Sequence, residues 1–494
     1  MSEFEINPTA FALLQSLRGL GYSPETALAD LIDNSIAAGS TRIDLNLDWN
    51  GGDPIVELLD DGAGLSFEEL IKAMRFGGDG PHSVREPDDL GRFGLGLKTA
   101  SLSQCRQLTV ISKKGDIRSC IAWDVDVVMD SKRWTPLVDP ASFDSNYSEC
   151  LNKAAHGTLI RWSRMDALGG LFGLDKSSFF ARVGDIRRHL GMVFHRFLDG
   201  DARRLTIFVC GRRIQAWDPF QTSHPATIRM PREKLRQAGA TIVVQPYVLP
   251  HRDRFEDEES YAAAGGIGGW TERQGFYVYR GKRLVVSGGW LALGGTRAWT
   301  RNEASRLARI AIDLPTDRDT DWRLDIRKSI ARPPADIKAR LAAIANACRA
   351  RAREVFSWRG GGGRRQRQGS SEPLWIAEYR GARVRYRINR EHPAITTLVA
   401  AMKDGESALT VTLSLIECSV PVERIWLDVA ERADQSQGYV PDDIDQLSQD
   451  IAQLIRAMKG DDTDQEKVDR LLSSLAVDST QVRSAVIQIL GAKL

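Results

Sequence analysis

The 494-residue chain has only six cysteines, at 105, 120, 150, 210, 348 and 418, and none forms a Cys-x-x-Cys pair. No histidine lies at zinc-like spacing from them. That excludes a disulfide framework or a zinc knuckle as the basis of the fold, and points to reduced, mostly structural thiols in a cytoplasm. Charge of one sign is lacking too: 67 Lys and Arg stand against 65 Asp and Glu, a formal net charge of +2. No global field selects a polyanionic partner, so any nucleic-acid surface has to be local. No run approaches the roughly 18 apolar residues of a membrane span. The opening MSEFEINPTAF has neither the basic start nor the apolar run of a secretory signal. What is present is globular. Hydrophobic residues make up 42%, enough for several cores, and the length suggests about three domains.

Three blocks are expected: 1–165, 166–358 and, after a linker at 359–371, 372–494. In the first, Ser23 can cap a helix, Pro24 suits its first position, and the periodicity runs to Ala38 before Gly39 ends it. Strands are expected at 41–48, 54–61, 107–113, 117–124 and 157–163, with a helix at 66–76. Residues 77–96 are rich in Gly, Asp and Pro and read as a long loop, a length that is usually functional or disordered. The second block reads as a helix at 175–198, strands at 205–211, 241–249, 275–279 and 308–314, and a basic helix at 335–356. Its EDEES (256–260) and AAAGGIGGW (262–270) read as a surface loop. The low-complexity RGGGGRRQRQGSS (359–371) reads as a flexible basic linker. The third block reads as strands at 374–388 and 409–415, then helices near 442–458, 464–475 and 479–491.

Three motifs in the first block carry chemistry. Asp30 and Asn34 are four apart on one helix and share a face. A carboxylate and a carboxamide there suit a water and a hard cation such as Mg²⁺, with Asn34 giving an oxygen and Asp30 polarising the water. The same spacing also suits a solvated polar face. Asp60 follows an apolar strand and precedes Gly62 and Gly64. Its carboxylate can accept from an adenine amino group, and the glycines let backbone pass close to a base; an ordinary Asp-Gly turn gives the same letters. In GRFGLGLKTASL (91–102), backbone amides at a helix start can cradle phosphates, with Lys98 adding charge. No GK[ST] ending is present, so this is not a Walker loop.

In their order and spacing, ALADLIDNSI (27–36), DDGAGL (60–65), GRFGLGLKTASL (91–102) and HGTLIRW (156–162) resemble the GHKL ATPase superfamily of gyrase B-, Hsp90- and MutL-type proteins. The glycine-rich motif is most similar to the bacterial MORC-like branch. The resemblance implies ATP and Mg²⁺ as ligands. It assigns Asn34 to the metal, Asp60 to adenine with Thr158 in support, and Gly91, Gly94 and Gly96 to the phosphates. Asp30 stands where gyrase- and Hsp90-type members carry Glu, one methylene longer, and Asp33 is a second carboxylate near the water. The implied fold is α/β: a Bergerat-type two-layer sandwich, then a transducer-like α/β domain, then a C-terminal α+β region.

QGFYVYRGKRLV (274–285) resembles a transducer strand-turn-strand, and TDWRLDIRKSIARPP (320–334) its lysine-bearing loop. That loop makes Lys328 the expected γ-phosphate contact, with Arg327 as competitor; a solvated basic loop explains the same residues. The resemblance further implies a slow ATPase acting as an ATP-dependent homodimeric clamp in a DNA-related or phage-defence process. Double-stranded DNA would meet the basic helix 335–356 and the arginines 359, 364, 365 and 367 through phosphates alone, unless these form a solvated face and a linker. A low-turnover nucleotide sensor, docking a partner protein through 372–494, is the other reading. His392 reads as structural. A sensor histidine kinase fits poorly, because His189 and His195 follow the ATP domain rather than precede it. An Hsp90-like chaperone fits less well than either.

Overall fold

A computed structural model describes residues 9–19, 21–76, 96–139, 145–166, 171–199, 205–294, 298–315, 318, 321–324, 331–357, 374–380, 383–401, 406–420, 444–457, 463–474 and 479–491. The chain forms two compact units, Met1–Phe356 and Ser357–Leu494. The expected linker, the glycine-rich loop up to Leu95 and the Lys328 segment lie outside the described residues.

The first unit opens with α1 (Ala10–Arg18) and α2 (Pro24–Ala37), then β1 (Arg42–Asp48), β2 (Ile55–Asp60), α3 (Phe67–Met74) and α4 (Gly96–Leu102). Next come β3 (Cys105–Lys114), β4 (Ile117–Asp124), α5 (Val125–Ser131), β5 (Leu137–Val138), α6 (Asn146–Lys153) and β6 (His156–Met165). Local signals set the ends. The Ser23 hydroxyl accepts from the Thr26 amide and caps α2 above Pro24. Ser66 and Glu69 form a reciprocal capping box that starts α3.

The sheet runs past residue 165. After β6 the chain crosses through α7 (Lys176–Val193) and α8 (His195–Leu198) to β7 (Thr206–Val209) and β8 (Arg212–Arg213). β7 pairs parallel with β1, Arg42 opposite Thr206, so the order is β5-β4-β3-β6-β2-β1-β7-β8. The helix expected at 175–198 is thus broken at Phe194, whose ring packs in the core.

Alternation along the strands sorts side chains between two faces. Leu108, Val110, Ile160 and Trp162 join Leu28, Leu31 and Ile32 of α2 and Ile186 and Leu190 of α7 in the main core. Ile111 and Leu159 face the other way, against Leu151 of α6. The result is the two-layer α/β sandwich expected for this block.

The second sheet holds β9 (Ile228–Arg229), β10 (Glu233–Gln237), β11 (Ala240–Val248), β12 (Gly275–Arg280), β13 (Arg283–Ser287) and β14 (Ala308–Leu314), with main order β10-β11-β14-β12-β13. The surface loop expected at 256–270 is instead two short helices, α9 (Glu258–Gly265) and α10 (Gly269–Glu272). Asp257 and Ser260 cap α9 reciprocally, and Trp270 stacks on Tyr261 at 4.7 Å, so a Gly-rich stretch is ordered by buried aromatics. α11 (Ala335–Ser357) packs Ile337, Leu341, Ile344, Ala345, Cys348 and Ala352 on this sheet as one helical stripe.

The second unit has a hairpin, β15 (Trp375–Arg380) and β16 (Arg383–Ile388), followed by α12 (Pro393–Ala401), α13 (Glu406–Ser419), α14 (Ile444–Ala457), α15 (Asp464–Ser474) and α16 (Ser479–Leu490). It is α+β, but the strand expected at 409–415 is the middle of α13. Over 409–419, whose burial is described, Leu413 and Glu417, four apart, are the buried residues, and Glu417 accepts from the Ile388 amide and from Arg390, both at 3.0 Å. That single buried stripe overrides the β-favouring run TVTLSLI. Ile451, Ile455, Val468, Leu471 and Val486 form this unit's own core.

Candidate functional site

α2 supplies the first wall of the site. Its apolar side is fixed in the core, which leaves Asp30 and Asp33 buried, at 4% and 1% exposure, and Asn34 exposed. The Tyr22 hydroxyl donates to Asp30 Oδ2 at 3.2 Å. One residue past Asn34, the Ser35 hydroxyl donates to Asp60 Oδ2 at 2.7 Å, tying the helix to the end of β2.

Asp60 is the last residue of β2 and stands opposite Thr158 on β6. Thr158 in turn stands opposite Ser112 on β3, with their hydroxyls 2.9 Å apart. Burial raises the Asp60 carboxyl above its ordinary range. Hydrogen bonds from Ser35 and from the backbone of Gly62 and Thr158 offset only part of that cost. The neighbouring Asp61 has a different task. It gathers the Ser40 hydroxyl and the Thr41 and Arg42 amides, and these outweigh its partial burial and hold it below the usual range.

The two glycines after Asp60 are needed for close packing. A Cβ on Gly62 would lie 2.8 Å from the Ala38 Cβ, and Gly64, at φ +67, would place one 2.0 Å from the Lys113 carbonyl oxygen. No larger residue fits either position without moving backbone.

Of the third motif, Gly91 and Gly94 lie outside the described residues, as do Arg327 and Lys328. Gly96 opens α4 beside α2, where a Cβ would come within 3.9 Å of Asp30 Oδ2. Lys98 points elsewhere. Its ammonium donates to the carbonyls of Ala73 and Arg75 at 2.8 and 2.7 Å, at the end of α3, and burial lowers its pKa to about 8. In this arrangement the Lys98 ammonium caps the end of α3.

Sequence reasoning missed three members. Ser35 and Ser112 are small hydroxyls with no motif of their own. Arg283 starts β13 of the second sheet, and its guanidinium Nε lies 3.2 Å from both oxygens of Asp33. Its Nη2 lies 3.9 Å from Asp30 Oδ1. Nearby His189 is held neutral: burial, with Arg283 and Arg273 adding repulsion, lowers it to about 3. His195 bridges the Met192 carbonyl and the Tyr279 hydroxyl in the core, and His392 accepts from the Ala394 amide in the second unit.

These donors suit a nucleotide that brings its own cation. Asp60 is a buried acceptor of the kind an adenine amino group requires. Among the described residues no group of three or more His, Cys, Asp or Glu could hold a metal ion. A lone exposed carboxamide, Asn34, fits Mg²⁺, which takes one or two protein oxygens and completes its shell with phosphates and water.

Comparison with known proteins agrees with this geometry. Residues 22–158 match the family described as histidine kinase-, DNA gyrase B-, and HSP90-like ATPase. Over 95 residues, 19% of this chain, the sequence is 36% identical to ATPase morc-1 of Caenorhabditis elegans and covers 11% of that protein. Over an equal length it is 33% identical to the DNA mismatch repair protein MutL of Shewanella frigidimarina and to that of Shewanella oneidensis, covering 15% of each. The chain therefore matches less than a sixth of the length of these relatives.

Proposed function

We propose, from the membership of residues 22–158 in the histidine kinase-, DNA gyrase B-, and HSP90-like ATPase family, that the chain binds ATP with Mg²⁺ between α2, β2 and β6 and hydrolyses it. The observation that carries this is Asp60: a buried carboxylate at a strand end, bonded by Ser35, Gly62 and Thr158, beside a helix that exposes Asn34. Asp60 accepts from the adenine amino group, with Thr158 in support, while Gly62 and Gly64 let the backbone pass close to the base. Gly91, Gly94 and Gly96 surround the phosphates, and Lys328 is the contact expected from the following block. Asn34 holds Mg²⁺ by its side-chain oxygen. Bound Mg²⁺ supplies neutralisation of phosphate charge, and the rest of the work is positioning. Asp30 orients the attacking water and takes its proton.

The test is steady-state ATP hydrolysis by wild type and Asp30→Asn. Turnover should fall by about 10²–10⁴-fold in the variant while ATP still binds. An Asp30→Asn protein as active as wild type removes Asp30 from the mechanism. Loss of Asp60 with no change in ATP affinity removes the site itself.

Coupling to a larger cycle is the finer part of the proposal. ATP joins two copies into a clamp in a DNA-related or phage-defence process, as the names of the MutL relatives suggest for the DNA side. A non-hydrolysable ATP analogue should then enlarge the hydrodynamic size; an unchanged monomer contradicts the clamp. One observation favours the low-turnover sensor instead. Asp30 is already engaged by Tyr22 and lies near Arg283. ATP binding with no turnover, alone or with DNA, selects that reading.

A further inference from the structure

We propose that Arg283 is a positioning residue for hydrolysis: by gripping Asp33 it sets the orientation of the neighbouring Asp30 carboxylate. The proposal rests on the ATPase reading above. Arg283 follows the Gly281 turn at the start of β13, yet its target lies on α2, in the other sheet's helical layer. All three side chains are almost wholly buried, so their interaction is little screened by solvent.

The contacts are unequal, and the inequality carries the argument. Asp33 receives Nε at 3.2 Å on both oxygens. Asp30 has Nη2 at 3.9 Å, beyond hydrogen-bond length, and keeps its 3.2 Å bond from Tyr22. A cation this close to a buried carboxylate favours its charged form and orients it. Asp33 thus anchors the guanidinium and keeps it from closing on Asp30. Phe194 lies under the guanidinium, with its ring centre 5.6 Å from Cζ, and limits sideways movement. Any shift of the β12–β13 hairpin is thereby passed to the carboxylate nearest the attacking water.

The test separates positioning from plain structural support. Arg283→Met alone leaves two buried carboxylates without their cation and is expected to be unstable. The double variant Asp33→Asn, Arg283→Met removes anion and cation together and should melt close to wild type. If Arg283 positions Asp30, kcat of the double variant falls by about 100-fold while ATP affinity stays within about twofold. A double variant that recovers both stability and kcat overturns the proposal, as does one whose affinity falls as far as its kcat. Wild-type protein that binds ATP without turnover overturns the hydrolytic reading and this one together. Active wild type with an active double variant overturns this one alone.

Discussion

On the proposed reading, Asp60 trades stability for recognition. Its folded carboxyl is raised above the usual 3.8, with burial as the first cause. Between those two values the folded state binds more protons than the unfolded chain, so stability is lost as pH rises through the window. The cost grows with pH through that window. Asparagine keeps an acceptor for the Gly62 amide and a donor for the Ser35 hydroxyl while removing the buried charge. Asp60→Asn should therefore melt at or above the wild-type temperature at pH 7. It should also bind ATP roughly tenfold or more weakly, since a hydrogen bond to a charged acceptor contributes about 1.5–3 kcal/mol. Calorimetric melting and titration on the same samples check both halves. A variant that loses stability and keeps affinity would make Asp60 purely structural. The positions of Asp30 and Asn34 on one helix and of Asp60 at a strand end were legible from local spacing: four residues on a helix, or a strand end before Gly-x-Gly. Arg283 was not legible. It lies 250 positions from Asp33, and nothing in RGKRLV says that this arginine reaches α2.

At the level of elements, Lys98 joins α4 to the last turn of α3. Its amino group answers two of the carbonyls that a helix end leaves without partners. The motif GLGLK suggested a phosphate contact because a lysine at a helix start beside glycines reads that way. The direction of its side chain was set by where α3 ends, which local sequence does not encode. Burial takes Lys98 from 10.5 to about 8. Between these values the unfolded chain holds the proton more tightly than the folded one, so the Lys98 contribution to stability rises with pH across that window. Lys98→Met should abolish the rise. Denaturant midpoints of wild type and variant, taken from pH 7.5 to 10.5, should differ most on the acidic side, with wild type the lower, and draw together as pH increases. Parallel curves would place the ammonium in solvent. The misread elements follow similar logic. Residues 256–270 carried a cap signal in Asp257 and Ser260, but four glycines favoured a loop, whereas Tyr261 and Trp270 bury together.

Across the whole molecule, the described part of the proposed site falls within Met1–Phe356, and each unit has a core of its own. The basic helix α11, expected to meet DNA, is less available than its sequence suggests. Arg349 is buried over Trp290 and Trp299, Arg340 pairs with Glu233, and Arg351 pairs with Glu354. Lys338 and Arg353 are exposed, as are Arg340 and Arg351 within their ion pairs. The periodicity located the stripe that packs on the second sheet, but it did not show that an arginine would lie over a pair of tryptophans there. These facts sharpen the DNA proposal into a number. Each phosphate contact contributes about 0.9 to the slope of log affinity against log salt on duplex DNA. Residues 1–357 alone keep the four exposed cations of α11 and lose arginines 359, 364, 365 and 367. If those four meet phosphates, cutting the chain after Ser357 should lower the slope by roughly 3 to 4, while ATP affinity and melting of the first unit stay as they were. Replacing the four arginines with glutamine in the full chain should give the same loss, which separates their charge from every other effect of removing 137 residues. An unchanged slope in both proteins would put DNA, if it binds, on another face of the first unit.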